Sequence, residues 1–176
     1  MKPVFAAVVI CAALASNVQG QVDRVEAAYL HRFAQFVKWP QSVLPRGAPI
    51  VIGVVGDDRA GRAIEDEMAG QRANGHPLIA RHVRWNDLLT GCQIVFISSA
   101  EEGHLGAIIR AARGSSVLTV SDVAGFAIRG GMIELMTVQN RIDFAVNTGA
   151  ASEGHLRISS KLLQIAHAVR ETAEAR

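Results

Sequence analysis

Hydrophobic positions along this chain keep two different periods, and the changes between them mark out its elements. Over 25–38, Tyr29, Phe33 and Phe36 recur at four and three residues, with Leu30 and Val37 beside them. This spacing predicts a helix with one apolar face. Trp39-Pro40 ends it, because proline disfavours helical geometry in the residue before it. The next run, "PIVIGVVG", is continuously apolar and stops at Gly56-Asp57-Asp58, as a strand buried on both faces does. "CQIVFISS" and "SVLTVSD" repeat that signature, and "HPLIARHVR" reads as a further strand. Helical stretches are expected between them over 62–69, as a short turn around 86–89, and over 103–113.

Strands buried on both faces and alternating with helices predict a parallel sheet covered by helices. After Gly131 the period changes. Met132, Glu134, Met136 and Val138 alternate with Ile133, Leu135 and Thr137, the chain turns at Gln139-Asn140, and Ile142, Phe144 and Val146 alternate with Arg141, Asp143 and Ala145. That is a β-hairpin with a solvated face. A closing helix is expected where Ile158, Leu162, Ile165 and Val169 share one side. The fold class is therefore α/β: three layers, a mainly parallel sheet with an added antiparallel hairpin, and helices on both faces.

The first residues bear on where such a domain works. Lys2 supplies a positive start, residues 4–15 carry no charge, and small residues follow at Ala13-Leu14-Ala15 and Val18-Gln19-Gly20. This is the layout of a cleaved secretory signal peptide, and the run is too short to span a membrane. Residues 1–20 are thus expected to be the leader, and 21–176 a single soluble domain of the periplasm. Ile10 stands before Cys11 where a lipid anchor needs a small residue, so no anchor is expected. With 18 basic and 16 acidic side chains, net charge points to neither a nucleic-acid nor a membrane partner. Cleavage removes Cys11 and leaves Cys92 alone, so stability must come from packing rather than an intrachain disulfide.

Candidate chemistry gathers at strand ends, where open α/β sheets bind ligands. Gly56, Asp57 and Asp58 end the first buried strand, Ser98 and Ser99 the next, and Ser121 and Asp122 the last. The glycines do not match a dinucleotide fingerprint, and no Gly-Lys-Ser/Thr follows for a phosphate loop. Asp58 suits a helix cap, where a carboxylate meets free backbone N–H groups. Neither serine pair has the G-x-S-x-G turn or a base in the sequence setting that nucleophilic catalysis uses. The stretch "LTVSDVAGFAIRGGMIEL" therefore reads as shape, its glycines releasing the chain into the hairpin. The six histidines form no metal-ligand spacing. "EGHL" occurs at 102–105 and again at 153–156, each copy at an expected helix start. Tyr29, Phe33, Phe36 and Trp39 read as core. Arg157, Ser159, Ser160 and Lys161, early in the closing helix, suit either a solvated face or an anion.

Taken together, "AAYLHRFAQFVKWP", "IVIGVVGDD", "CQIVFIS", "VLTVSDVAGFAIRGGMIEL", "RIDFAVN" and "LRISSKLLQIAHAV" resemble the YfiR family of periplasmic regulators, in the family's order and spacing. The resemblance implies a non-enzymatic α/β protein without a cofactor. In the family's best-understood arrangement YfiR binds the periplasmic part of YfiN, a membrane diguanylate cyclase, and represses it. YfiB, an outer-membrane lipoprotein, sequesters YfiR and relieves the repression. A homodimer is a further expected assembly. Some members carry a cysteine on the first strand facing that of "CQIVFIS", as a redox-sensitive bridge. Here the first strand has Gly53 and no cysteine, and the hairpin lacks the second cysteine pair of such members. Two other readings stand beside the regulator: a small-molecule sensor using Gly56, Asp57, Ser99 and Ser121, and an exported hydrolase using Ser121-Asp122.

Overall fold

Apolar residues at helical spacing form α1 (residues 24–36) and bury one of its faces completely: Ala27, Leu30, Phe33 and Ala34 have no exposed surface. The computed structural model describes residues 24–56, 58–87, 89–139 and 141–171. The expected leader, Asp57, Asn140 and the side chain of Asp58 lie outside the described residues. Helix α1 ends two residues early. Val37 and Lys38 instead form β1 (Val37–Lys38), paired antiparallel with β9 (Arg157–Ile158).

The main sheet comprises β2 (Ile50–Val55), β3 (Arg72–Ala73), β4 (His76–His82), β5 (Ile94–Ile97), β6 (Leu118–Ser121), β7 (Ile133–Val138), β8 (Arg141–Asn147) and β10 (Ala168–Arg170), in the order β10-β8-β7-β6-β5-β2-β4-β3. Strands β4, β2, β5, β6 and β7 run parallel, and β7–β8 is the antiparallel hairpin. The two-sided burial expected of the apolar runs is visible along β2. Ile50, Ile52 and Val54 pack into the core beneath α1, α2 (Asp58–Met68), α4 (Thr148–Glu153) and α5 (Ser160–Ile165). Val55 joins the opposite core, under α3 (Leu105–Ala112). Tyr29 and Phe33 of α1 meet Phe144 of β8 with ring centroids 5.6 and 5.3 Å away, and the Tyr29 hydroxyl donates to the Ile142 carbonyl at 2.9 Å. The aromatic positions of α1 are therefore core, and they hold the hairpin down.

Between β6 and β7 only residues 122–132 intervene, without a helix, although the two strands are parallel neighbours. Parallel crossovers usually need a helix to satisfy their backbone. Here turns within the connection make some of the bonds, and buried polar side chains on adjacent strands make others. The Glu134 carboxylate accepts from the N–H groups of Gly125 and Ala127 at 2.9 and 3.1 Å. Thr119 Oγ1 accepts from the Met132 N–H, and the Asn147 amide donates to the Ala127 carbonyl. Gly131 is required by packing, since a Cβ there would lie 2.2 Å from the Phe126 ring.

The sequence pattern misleads in three places. The closing amphipathic stretch is not one helix. Ser159 caps α5, Ala166 is extended with ψ 139°, and the chain continues as β10, its entry fixed by the His167 N–H donating to the Phe144 carbonyl. Backbone pairing along the open edge of β8 outcompetes helical continuation, and leaves Ile165 51% and Val169 47% exposed. The stretch expected as a helical turn at 86–89 shows turn and bend geometry at 85–87, and residue 88 lies outside the described residues. The second "EGHL" ends a helix instead of starting one: Gly154 is the C-cap of α4, and His155 has φ +57°. The first copy does precede α3, with His104 at its N-cap.

Glu134→Ala would leave the buried Ala127 N–H and the half-buried Gly125 N–H without their acceptor. We expect a loss of about 2–4 kcal/mol in urea unfolding, with Glu134→Gln losing less. A loss for the alanine variant of less than about 0.5 kcal/mol, the usual range for an inert surface substitution, would contradict the clamp.

Candidate functional site

The parallel strands deliver β2, β5 and β6 to one edge of the sheet, where candidate residues had been expected to converge. Gly56, just past β2, has φ +112°, and a Cβ on it would sit 2.9 Å from Ser98 Cβ. Glycine is thus what lets the ends of β2 and β5 touch. Each nearby serine has a structural partner. Ser98 Oγ accepts from the Ala100 N–H at 3.3 Å, capping the 3-10 turn that leads to α3. Ser99 Oγ donates to Asp122 Oδ2 at 3.0 Å. Ser121 has no exposed surface, donates to the Ile97 carbonyl at 2.7 Å and accepts from the Val123 N–H at 3.1 Å. Its hydroxyl ties β6 to β5 and starts the β6–β7 connection. Among the described residues, no group of three His, Cys, Asp or Glu could hold a metal ion.

A feature that the strand-end reasoning missed lies beside Gly56. A cleft of about 570 Å³ is lined by Gly56, His82, Trp85, Asn86, Asp87 and Glu101, among others. Trp85 is 40% exposed and stacks on the His104 imidazole, with centroids 4.2 Å apart and planes 4° from parallel. His104 Nδ1 is 2.7 Å from Glu101 Oε2, and His82 Nε2 is 3.8 Å from Glu65 Oε1. Asp87 Oδ2 accepts from the Arg84 backbone N–H at 3.0 Å, closing the turn that presents Trp85. The signal for this was "RWND", a tryptophan in a polar turn directly after a strand.

The remaining candidates belong elsewhere. Arg157 is exposed on β9 opposite Lys38. Ser159 Oγ accepts from the Lys161 N–H, so it is a helix cap, while Ser160 and Lys161 are exposed on the first turn of α5. Helix α5 leads into β10, which four strands separate from β2. The strand-end residues and the α5 residues therefore do not form one site.

The sequence pattern of a family described as YfiR/HmsC-like matches residues 23–167. This chain belongs to the YfiR/HmsC-like family. Two solved structures share the fold at low identity. A conserved domain protein from Vibrio cholerae is 13% identical with a TM-score of 0.54. An ABC domain in complex with L-Trp from Streptococcus pneumonia is 11% identical with a TM-score of 0.55. Each likeness covers 74% of this chain but 57% of the other. No match among curated proteins accompanies them.

This YfiR/HmsC-like protein buries its Cys92 at 2% exposure, with the Arg81 guanidinium 3.3 Å from the sulfur. Gly53 lies opposite: a Cβ there would be 3.0 Å from Cys92 Sγ and 2.9 Å from Val83 Cγ2. The first distance is far inside van der Waals contact and suits a bonded sulfur pair. Two outcomes are expected. In the processed chain, the Gly53→Cys variant should oxidise to form a bridge with Cys92, seen as a linked peptide by mass spectrometry. Closing that loop should stabilise by up to about 3–4 kcal/mol, less what displacing Val83 costs. Recovery of two free thiols under oxidising conditions would contradict the geometry. Ser121→Ala should cost about 1–3 kcal/mol by stranding buried polar groups. Loss of signalling with unchanged stability would instead show a chemical role for that hydroxyl.

Proposed function

We propose that this protein is exported to the periplasm, binds the periplasmic part of a membrane diguanylate cyclase and holds that enzyme inactive. The observation that carries this reading is the family match over 23–167, almost the whole chain past the expected leader. A repressor of this kind works only by differential affinity, binding the inactive state of its partner more tightly than the active one. What it needs is a surface, and the structure supports one along α5 and β10. Exposed Ile165 and Val169 lie on this stretch with exposed Lys161 and Arg170, and Arg157 precedes it on β9. An apolar strip with a basic rim is the pattern of a protein-binding patch. An outer-membrane lipoprotein competing for the same surface would relieve the repression.

A second reading, a small-molecule sensor, is favoured by the Trp85 cleft. It uses Gly56, as the sequence suggested, but Ser121 is buried away from solvent, and Ser99 is engaged with Asp122. Both readings can hold in one molecule if ligand in the cleft alters the partner surface.

Deleting the gene should raise cellular cyclic di-GMP. Arg157→Glu with Lys161→Glu, or Ile165→Asp alone, should mimic the deletion while leaving unfolding within about 0.5 kcal/mol of the parent. Unaltered cyclic di-GMP in the deletion strain would count against the cyclase partner. A normal level in all the surface variants would move the contact away from α5.

A further inference from the structure

We infer that the cleft beside Trp85 is a saccharide-binding site. This rests on the sensor reading and names its ligand class; the repressor reading does not depend on it. A cleft of about 570 Å³ falls in the range of about 300–1,000 Å³ typical of small-molecule sites. Its position, at the carboxyl ends of β2 and β4 in a parallel sheet, is where α/β folds hold ligands.

The ligand class follows from what lines it. Against Asp87 and Glu101 the lining sets the Arg84 guanidinium, with the His82 imidazole beside it, so groups of both signs are mixed. The carboxylates are also already engaged, Glu101 with His104 and Asp87 with the Arg84 N–H. A site built for an ion would hold charge of one sign ready for it. An apolar ligand is equally ill served, because most of the lining residues are polar or charged. What remains is a neutral ligand with many hydroxyls and a flat face of C–H groups, which is the chemistry of a pyranose.

Trp85 supplies the complementary platform. One face of its indole rests on His104, which Glu101 holds in place, so the ring is braced from behind before any ligand arrives. Trp85 lines the cleft at 40% exposure, and the electron-rich face of an indole attracts the C–H groups of a sugar ring. Asn86 follows Trp85 in the same turn and offers its amide to hydroxyls at the ring's edge. Bracing matters energetically, since an ordered platform loses little freedom on binding.

The test is titration of the processed protein with cellotriose and with triacetylchitotriose, read by calorimetry and by indole fluorescence. The Trp39→Phe variant leaves Trp85 as the sole tryptophan reporter. Purified peptidoglycan sacculi, in a pelleting assay, distinguish a cell-wall source from free sugar. We expect a dissociation constant of about 0.1–1 mM for one trisaccharide, weakened about tenfold or more by Trp85→Ala and less by His104→Ala. Both variants should keep the parent's melting temperature, since Trp85 and His104 are exposed. Because Trp85→Ala removes the platform whatever the fold does, Asn86→Ala serves as a second variant and should weaken binding with the ring intact. Saccharide binding unaffected by Trp85→Ala would overturn the assignment. So would binding of L-tryptophan at Trp85 without any of the sugars, an outcome that keeps the sensor reading alive. Absence of binding by any of these probes would overturn the saccharide site and leave the sensor reading without support from this cleft.

Discussion

The fold turns on how the chain gets from β6 to β7. Two parallel neighbours are joined by residues 122–132 with no helix to carry the backbone bonds, so the buried N–H and carbonyl groups that its own turns leave over need side-chain partners. Thr119, Glu134 and Asn147 provide them from three adjacent strands, all at 8% exposure or less. Asn147 also accepts from the Ala150 N–H at 3.0 Å and so caps α4. One buried polar network therefore sets the connection, the start of the hairpin and the helix after it. Partial satisfaction of such a network costs more than an apolar core would, which makes it a strong constraint on the chain's path.

Once that path is fixed, the polar residues at strand ends are committed to structure. The Ser121 hydroxyl sews β6 to β5, Ser98 caps a turn, and Gly56 permits close approach of two strands. Surface features are what the molecule has left for function. Among the described residues, two such features are the basic, partly apolar stretch of α5 and β10, and the braced Trp85 over its cleft. A protein that regulates by occupancy needs the first. One that also reports on its surroundings needs the second.

Much of this was legible in the sequence because the driving pattern is burial. Runs apolar at every position, such as "PIVIGVVG", admit little besides a strand covered on both sides, and the alternation after Gly131 admits little besides a hairpin. The closing segment was not legible, because Ile158, Leu162, Ile165 and Val169 satisfy a helical period whether or not a strand edge competes for the backbone. That edge belongs to β8, formed elsewhere in the chain, and no local pattern reports it. The Trp85 cleft was hidden for a similar reason. Trp85 and His104 are brought together only by the register of β4, β2 and β5. Serines at strand ends drew attention as candidate chemistry, but a sequence does not show whether a hydroxyl faces a carbonyl or a substrate.

The central claim is repression by direct binding, and it can be measured without a cell. The membrane cyclase expected as partner, reconstituted in vesicles with its periplasmic part facing outward, would be titrated with the purified processed protein while cyclic di-GMP synthesis is followed. The account predicts a saturable fall in synthesis at the concentrations where binding is seen, abolished by Ile165→Asp. Synthesis that stays constant while the protein demonstrably binds, or no binding at all, would contradict it.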